Sequence, residues 1–279
     1  MKKTVVSHFY NEEHLLPWWL AHHKKIFDHG ILIDYHSTDR SMEIIREICP
    51  DWELRYTRNK YFDSVPIDRE VMDIERELDG WHMCLNTTEF LYGNISHLDD
   101  RTDPTQYFVG NYVFVDMEDE TKGPLSLSHD IPLHEQRYWG YDEFANTGQF
   151  KGGVMGRMNR SLHNYPVTYK GGRHWGSEDY PKSFDDLVIF YHGWADSGPA
   201  GLKRKMQIKS KINEGGTVHH RDEGSFRHSY TELRNLSKDL RESIKHICSY
   251  QYPDENSTAV VDPLIFESKL IQAEPRTVG

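Results

Sequence analysis

A chain of 279 residues, 37% hydrophobic and 28% charged, has a globular composition and the length of one large domain or two small ones. Its formal net charge of −11 argues against a general nucleic-acid binder, which needs a basic footprint, but leaves room for a local basic pocket. Cys49, Cys84 and Cys248 are widely spaced and form no Cys-x-x-Cys, which argues against a disulfide framework or a zinc site and suits a reducing compartment.

The N-terminal residues turn polar too soon for a signal peptide. No apolar run approaches the roughly 20 residues that span a bilayer, so a cytoplasmic protein without a membrane span is expected. Tyr, Trp and Phe are numerous; most should fill the core, and the remainder suit stacking on sugars or bases.

In chain order, Thr4 to Phe9 reads as a strand ending in Tyr10-Asn11-Glu12-Glu13. A helix follows with Leu15, Leu16, Trp19, His23, Ile26 and Phe27 on one stripe, and Pro17 fits its first turn. Ile31 to Ile33 is a second strand, ending at Asp34, and Ser41 to Cys49 a second helix capped by Asp39 or a neighbour. Trp52 to Tyr56 alternates as a third strand, Ile67 to Leu78 is a third helix, and Trp81 to Leu85 a fourth strand. Beyond Leu98 the order loosens: Tyr107 to Asp116 reads as one strand, with loops at Thr121 to Pro132 and Gly148 to Gly156. Leu187 to Tyr191 is a late strand, followed by helices at Leu202 to Ile212 and Tyr230 to His246.

Strands alternating with helices at this spacing predict an α/β fold, a mostly parallel central sheet with helices on both faces. The expected organisation is a single domain over residues 1–250, with halves at 1–97 and 98–250. Residues 251–279 have little periodicity and read as a partly disordered arm. Ligands of such sheets bind at the carboxyl ends of the strands. Those ends carry Tyr10-Asn11-Glu12, Asp34 to Asp39, and Asn86 to Glu89, all polar.

The run Phe9-Tyr10-Asn11-Glu12-Glu13, a helix, then Ile33-Asp34-Tyr35-His36-Ser37-Thr38-Asp39 resembles the opening of family 2-type glycosyltransferases with the GT-A fold. The resemblance implies that Tyr10, Asn11, Glu12, Asp34, Ser37 and Asp39 hold the base and ribose of a nucleotide-sugar donor, with a UDP-sugar favoured. The chemistry agrees, since a carboxylate at a strand end accepts from a base N–H while a hydroxyl supplies the complement. The competing reading is a turn with a helix cap, because Ser-Thr-Asp is good capping chemistry.

The fourth strand end departs from the family. Where its members carry Asp-x-Asp for Mn²⁺ or Mg²⁺, this chain has Asn86-Thr87-Thr88-Glu89-Phe90. Hard cations prefer several carboxylate oxygens. Either a metal is held mainly by the donor phosphates and Glu89, or the chain works without one; Glu89 and His192 are the only metal candidates. Asn86, Thr88 and Glu89 are expected at the phosphate end. The leaving diphosphate needs positive charge, for which Arg173, His174, His192 and Lys205 are candidates. Inversion needs a carboxylate base, for which Asp142, Glu143 and Glu178 are candidates, with Trp139 and Tyr141 placed to stack on an acceptor sugar.

The expected activity is transfer of a sugar to a glycan acceptor hydroxyl. A transferase-like binding module without turnover is the second reading, and a sugar nucleotidyltransferase the third.

Overall fold

The computed structural model describes residues 1–59, 64–98, 101–115, 127–136, 140–142, 160–169, 171–173, 182–183 and 187–194. The expected loop at 148–156, the two C-terminal helices and the arm lie outside them.

The elements run β1 (Lys3–Phe9), α1 (Leu16–His23), β2 (His29–Asp34), α2 (Ser41–Ile48), β3 (Glu53–Tyr56), α3 (Ser64–Glu75), β4 (Trp81–Cys84) and β5 (Glu89–Tyr92). They continue as β6 (Gln106–Val109), β7 (Asn111–Val115), α4 (Leu133–Gln136), β8 (Gly140–Asp142), β9 (Arg160–His163), β10 (Lys182–Ser183) and β11 (Val188–Trp194). A seven-stranded sheet has the order β10-β6-β9-β4-β1-β2-β3, and a four-stranded sheet the order β5-β11-β7-β8. Strands β4, β1, β2 and β3 are mutually parallel, and β9 is antiparallel to both β4 and β6. This is the expected α/β class.

Alternation along the buried strands sorts the core into two layers. Val5, Leu32 and Met83 face α1 and α2, joining Leu16, Trp19, Ile44 and Ile45. Their chain neighbours Val6, Ile31, Ile33 and Cys84 face the other way, onto Val71 and Ile74 of α3. Helices therefore cover both faces. Helix α1 has no side-chain cap at Leu15, although Pro17 sits in its first turn. A missing cap costs about 1 kcal/mol, whereas each buried large apolar side chain contributes roughly 1.5–3 kcal/mol. Leu16, Trp18, Trp19 and Leu20 are all buried, so packing decides this helix. At Gly30 a Cβ would lie 2.1 Å from the Trp52 ring, so only glycine lets that indole cross β2.

The expected strand from Tyr107 to Asp116 is in fact two. Its first part, β6, belongs to the large sheet and its second, β7, to the small one, with the change at Gly110, whose carbonyl accepts from Ile189 N–H at 2.9 Å. Gly110-Asn111 interrupt the apolar run at this point, a break that a single-strand reading passes over. The late strand β11 likewise runs on through His192 to Trp194, beyond the expected end at Tyr191. Among the described residues no helix is long and apolar enough to cross a membrane.

Candidate functional site

The carboxyl ends of β1 and β2 are level, with Phe9 opposite Asp34 and Asp34 opposite Tyr56 of β3. The two loops that follow β1 and β2 are stitched to each other. Ser37 Oγ accepts from Asn11 N–H at 3.0 Å, and Asn11 Oδ1 accepts from Thr38 N–H at 2.7 Å. Asp39 accepts from Glu13 N–H at 3.0 Å and from Ser41 N–H at 3.0 Å, while Ser41 Oγ accepts from Glu12 N–H at 2.8 Å. Asn11 holds a left-handed backbone with φ of 51°, a region asparagine tolerates better than most residues. The Glu12 carbonyl accepts from Leu15 and Leu16 N–H, which ties the same clasp to the start of α1.

The clasp leaves Asp34 in an unusual position. Its side chain is fully buried; Oδ1 accepts from Ser37 N–H at 2.9 Å, and Oδ2 has no hydrogen bond. Beside it, the His36 and Tyr56 rings stack with centroids 5.5 Å apart and planes 16° apart. Tyr56 is 63% exposed, so an aromatic face lies open at this edge. His36 has φ of 60°, in the left-handed region that histidine, like asparagine, visits more often than most residues.

Past β4 the chain turns at Asn86 to Thr88, with Glu89 N–H bonded to the Asn86 carbonyl at 3.0 Å. Trp19 Nε1–H from α1 donates to the carbonyls of Asn86 and Glu89, fixing the turn from behind. Glu89 is buried and saturated. Arg160 grips it in a bidentate pair, Nε to Oε2 at 2.8 Å and Nη2 to Oε1 at 2.7 Å, and Asn86 N–H adds a bond of 2.8 Å. Arg160 also donates to the Gly172 carbonyl at 2.7 Å. Arg173 donates to Asp68 at 2.7 Å and to Asn86 Oδ1 at 3.1 Å. Burial opposes the charge of Arg173, but Cys84, Asp68 and Glu89 outweigh it and raise its pKa, so the guanidinium stays cationic.

Glu70, from α3, organises the end of β3 by accepting from Thr57 Oγ1 at 2.7 Å and Arg58 N–H at 2.9 Å. Burial alone would raise its pKa, but the nearby His8, 3.7 Å away, and the hydrogen bonds from Arg58 and Thr57 win and bring it to about 2.

The structure thus gathers Tyr10, Asn11, Glu12, Asp34, Ser37 and Asp39 at one part of the edge, and Asn86, Thr88, Glu89 and Arg173 at another. His192 belongs with the second group: its backbone N–H donates to the Thr88 carbonyl at 2.7 Å, and its buried ring meets Phe90 edge-on at 5.1 Å. It sits where the β11–β7 register shifts, an irregularity that re-aims side chains. Asp142 lies in β8, opposite Tyr112 of β7. Glu143, His174, Glu178 and Lys205 lie outside the described residues.

For a metal, the pairing of Glu89 matters. Glu89 offers no free lone pair in its present pairing, and a cation there would have to displace Arg160. The one His/Asp/Glu/Cys cluster with ligand-like spacing among the described residues is Glu75, His82 and His163, at the other end of β4. No sequence motif joins these three; the pairing of β4 with β9 sets His82 beside His163, and the end of α3 brings Glu75. A cavity of about 330 Å³ lined by Lys24, Phe27, Cys49 and Trp52 also lies away from the carboxyl edge, at the far ends of α1 and α2.

No family model and no curated protein matches the chain. Among solved structures, TarS from S. aureus aligns over 33% of this chain and 17% of its own, at TM-score 0.27 and 17% identity. TarS 1-349 in complex with UDP-GlcNAc aligns over 98% and 79%, at TM-score 0.37 and 11% identity. HddC from Yersinia pseudotuberculosis aligns over 77% and 99%, at TM-score 0.35 and 10% identity. Likeness of this degree carries no argument about activity, which rests on the chain's own residues.

Proposed function

We propose that this chain is a glycosyltransferase that moves a sugar from a nucleoside-diphosphate donor, a UDP-sugar by preference, to a glycan acceptor hydroxyl with inversion. The observation that carries the reading is Asp34. A fully buried carboxylate with one oxygen held by Ser37 and the other without a hydrogen bond suits a donor N–H of a base. The open Tyr56 face beside it suits stacking of that base. The loop clasp from Asn11 to Ser41 holds Ser37, the partner of Asp34, in place before any ligand arrives.

In the reaction the acceptor oxygen attacks the anomeric carbon, the bond from that carbon to the diphosphate breaks, and the acceptor proton passes to a carboxylate. Asp142, Glu143 and Glu178 are the proposed candidates for that base. Arg173, held between Asp68 and Asn86, sets the phosphate-facing turn, and His174, His192 and Lys205 are proposed to counter the charge of the departing diphosphate. Any divalent ion is held chiefly by the donor phosphates, because Glu89 is engaged by Arg160.

Calorimetry with UDP and other nucleotides tests the reading. Asp34→Asn, which keeps the size and reverses half of the hydrogen-bonding, should weaken UDP binding at least tenfold with the fold intact. Absence of binding by every nucleotide, or equal binding by the variant, would sink it. A binding module without turnover is the second reading, favoured by the missing Asp-x-Asp. Donor hydrolysis or sugar transfer that persists in EDTA would remove it; complete loss in EDTA with sharp Mn²⁺ rescue would show Glu89 to be a ligand after all.

A further inference from the structure

We propose that Glu75, His82 and His163 form a buried zinc site at the amino end of β4, remote from the nucleotide edge. Glu75 closes α3, His82 lies second in β4, and His163 ends β9. The antiparallel pairing of β4 and β9 sets His82 directly opposite His163, so both side chains leave the sheet on one face. Each of the three is at most 1% exposed.

The spacing fits a metal. His163 Nε2 is 3.5 Å from Glu75 Oε2, and one ligand atom from each residue lies within 4.8 Å of the others. A tetrahedral ion with bonds of roughly 2.0–2.1 Å needs ligand atoms about 3.3 Å apart. The Glu75–His163 edge is therefore near that value already, and modest rotation of the imidazoles closes the remainder.

The outer partners orient the ligands inward. His82 Nδ1–H donates to the Gly80 carbonyl at 3.2 Å, which leaves Nε2 as the free lone pair. Gly80 adopts φ of 88°, where a Cβ would lie 2.3 Å from the Lys2 carbonyl, so this carbonyl position requires glycine. Tyr169 Oη–H donates to Glu75 Oε1 at 2.9 Å, leaving Oε2 for the ion. A metal-bound histidine whose other nitrogen donates to a carbonyl, and a hydrogen-bonded carboxylate ligand, are the usual outer shell of such sites.

The atoms left over are the ones a cation would satisfy. Glu75 Oε2, His82 Nε2 and both ring nitrogens of His163 are buried without a hydrogen bond. Buried polar atoms are rarely left so, and a single ion would take up three of these: Glu75 Oε2, His82 Nε2 and one nitrogen of His163. Burial, with His163 nearby, lowers the His82 pKa to about 4, so the imidazole is neutral and able to ligate. Two imidazoles and one carboxylate favour zinc over hard, all-oxygen cations, with a water in the fourth position. The sequence argument against zinc concerned cysteines, and this set uses none.

The test uses the untagged full chain, purified from zinc-supplemented cells and dialysed. Elemental mass spectrometry should find about one zinc per chain, and chelation should lower Tm, with recovery on adding zinc. Cobalt(II) added to the stripped protein should give the strong visible bands of a four-coordinate ion. His163→Ala and Glu75→Gln should each bring zinc below a tenth of an equivalent; if neither folds, the cobalt spectrum of the unaltered chain decides. Less than a tenth of an equivalent in the unaltered protein with no cobalt bands overturns the proposal. Undiminished zinc in folded His163→Ala, or iron in place of zinc, also overturns it. None of these readouts involves a nucleotide, so failure here leaves the transferase reading standing and the reverse holds too.

Discussion

Replacing Arg160 by methionine removes the charge from the Glu89 pair while keeping an apolar stem. Both partners are no more than 2% exposed, and their two hydrogen bonds are 2.8 and 2.7 Å. Breaking such a pair by removing one member costs about 3–5 kcal/mol, because a buried charge loses its counter-ion. Glu89 keeps the Asn86 N–H at 2.8 Å, which places the expected loss at the lower end, about 3 kcal/mol. The Gly172 carbonyl loses its donor as well, and with it the restraint on the segment carrying Arg173.

Urea unfolding followed by tryptophan fluorescence measures this directly: the midpoint should fall with the slope unchanged. In the double variant Arg160→Met with Glu89→Leu, the buried charge is gone too, and most of the loss should return. A single-variant loss below about 1 kcal/mol, or a double variant whose loss is the sum of the two singles, would refute the argument that this pair is a coupled buried ion pair.

Acid should destabilise the fold well above the range where carboxylates titrate. Burial lowers His22, His82 and His134 each to a pKa of about 4, against about 6.5 in an unfolded chain. The unfolded state therefore binds protons first; stability is full above about pH 6.5 and falls as pH drops from there toward 4. The almost fully buried His82 alone accounts for on the order of 3 kcal/mol. Thermal unfolding of chelator-treated protein at pH 7.5 and 5.5 checks the sign, and an unchanged or higher Tm at pH 5.5 would contradict it. Gly30→Ala should cost roughly 1–3 kcal/mol, since its Cβ would press 2.1 Å from the Trp52 ring. Recovery of that loss in Gly30→Ala with Trp52→Leu would confirm the clash as its source.

The parallel half of the fold was legible because its information is local. Val5 and Val6, Leu32 and Ile33, Met83 and Cys84 alternate between two helical layers, and each of the first three strands is followed by a helix. The later strands carry no such signal. Arg160-Ser161-Leu162-His163 reads as polar, yet it is wholly buried, because Arg160 meets Glu89 across 71 residues of sequence and His163 lies against Glu75 at the end of α3. The site divides the same way. That Asp34 and Asn11 share one edge follows from strand order, whereas the capture of Glu89 by Arg160, and the meeting of Glu75 with His82 and His163, depend on which strand pairs with β4. Nothing within a window of residues records that choice.

The neutral residues at 86 and 88 and the burial of Glu89 belong to a single electrostatic arrangement. An edge bearing two aspartates and a glutamate would concentrate negative charge and draw in a divalent cation. Here one carboxylate remains at the turn, and Arg160 cancels it; Arg173 approaches Asn86 but is itself cancelled by Asp68. The turn is therefore close to neutral and already hydrogen-bonded. On the proposed reading, the charge that stabilises a departing diphosphate comes from outside this quartet, either from an ion the phosphates bring with them or from His174, His192 and Lys205. The two sources separate by titration: phosphate-borne Mn²⁺ gives an activity that rises with Mn²⁺ only in the donor's own binding range. Basic side chains give one that persists in EDTA and falls with Lys205→Ala.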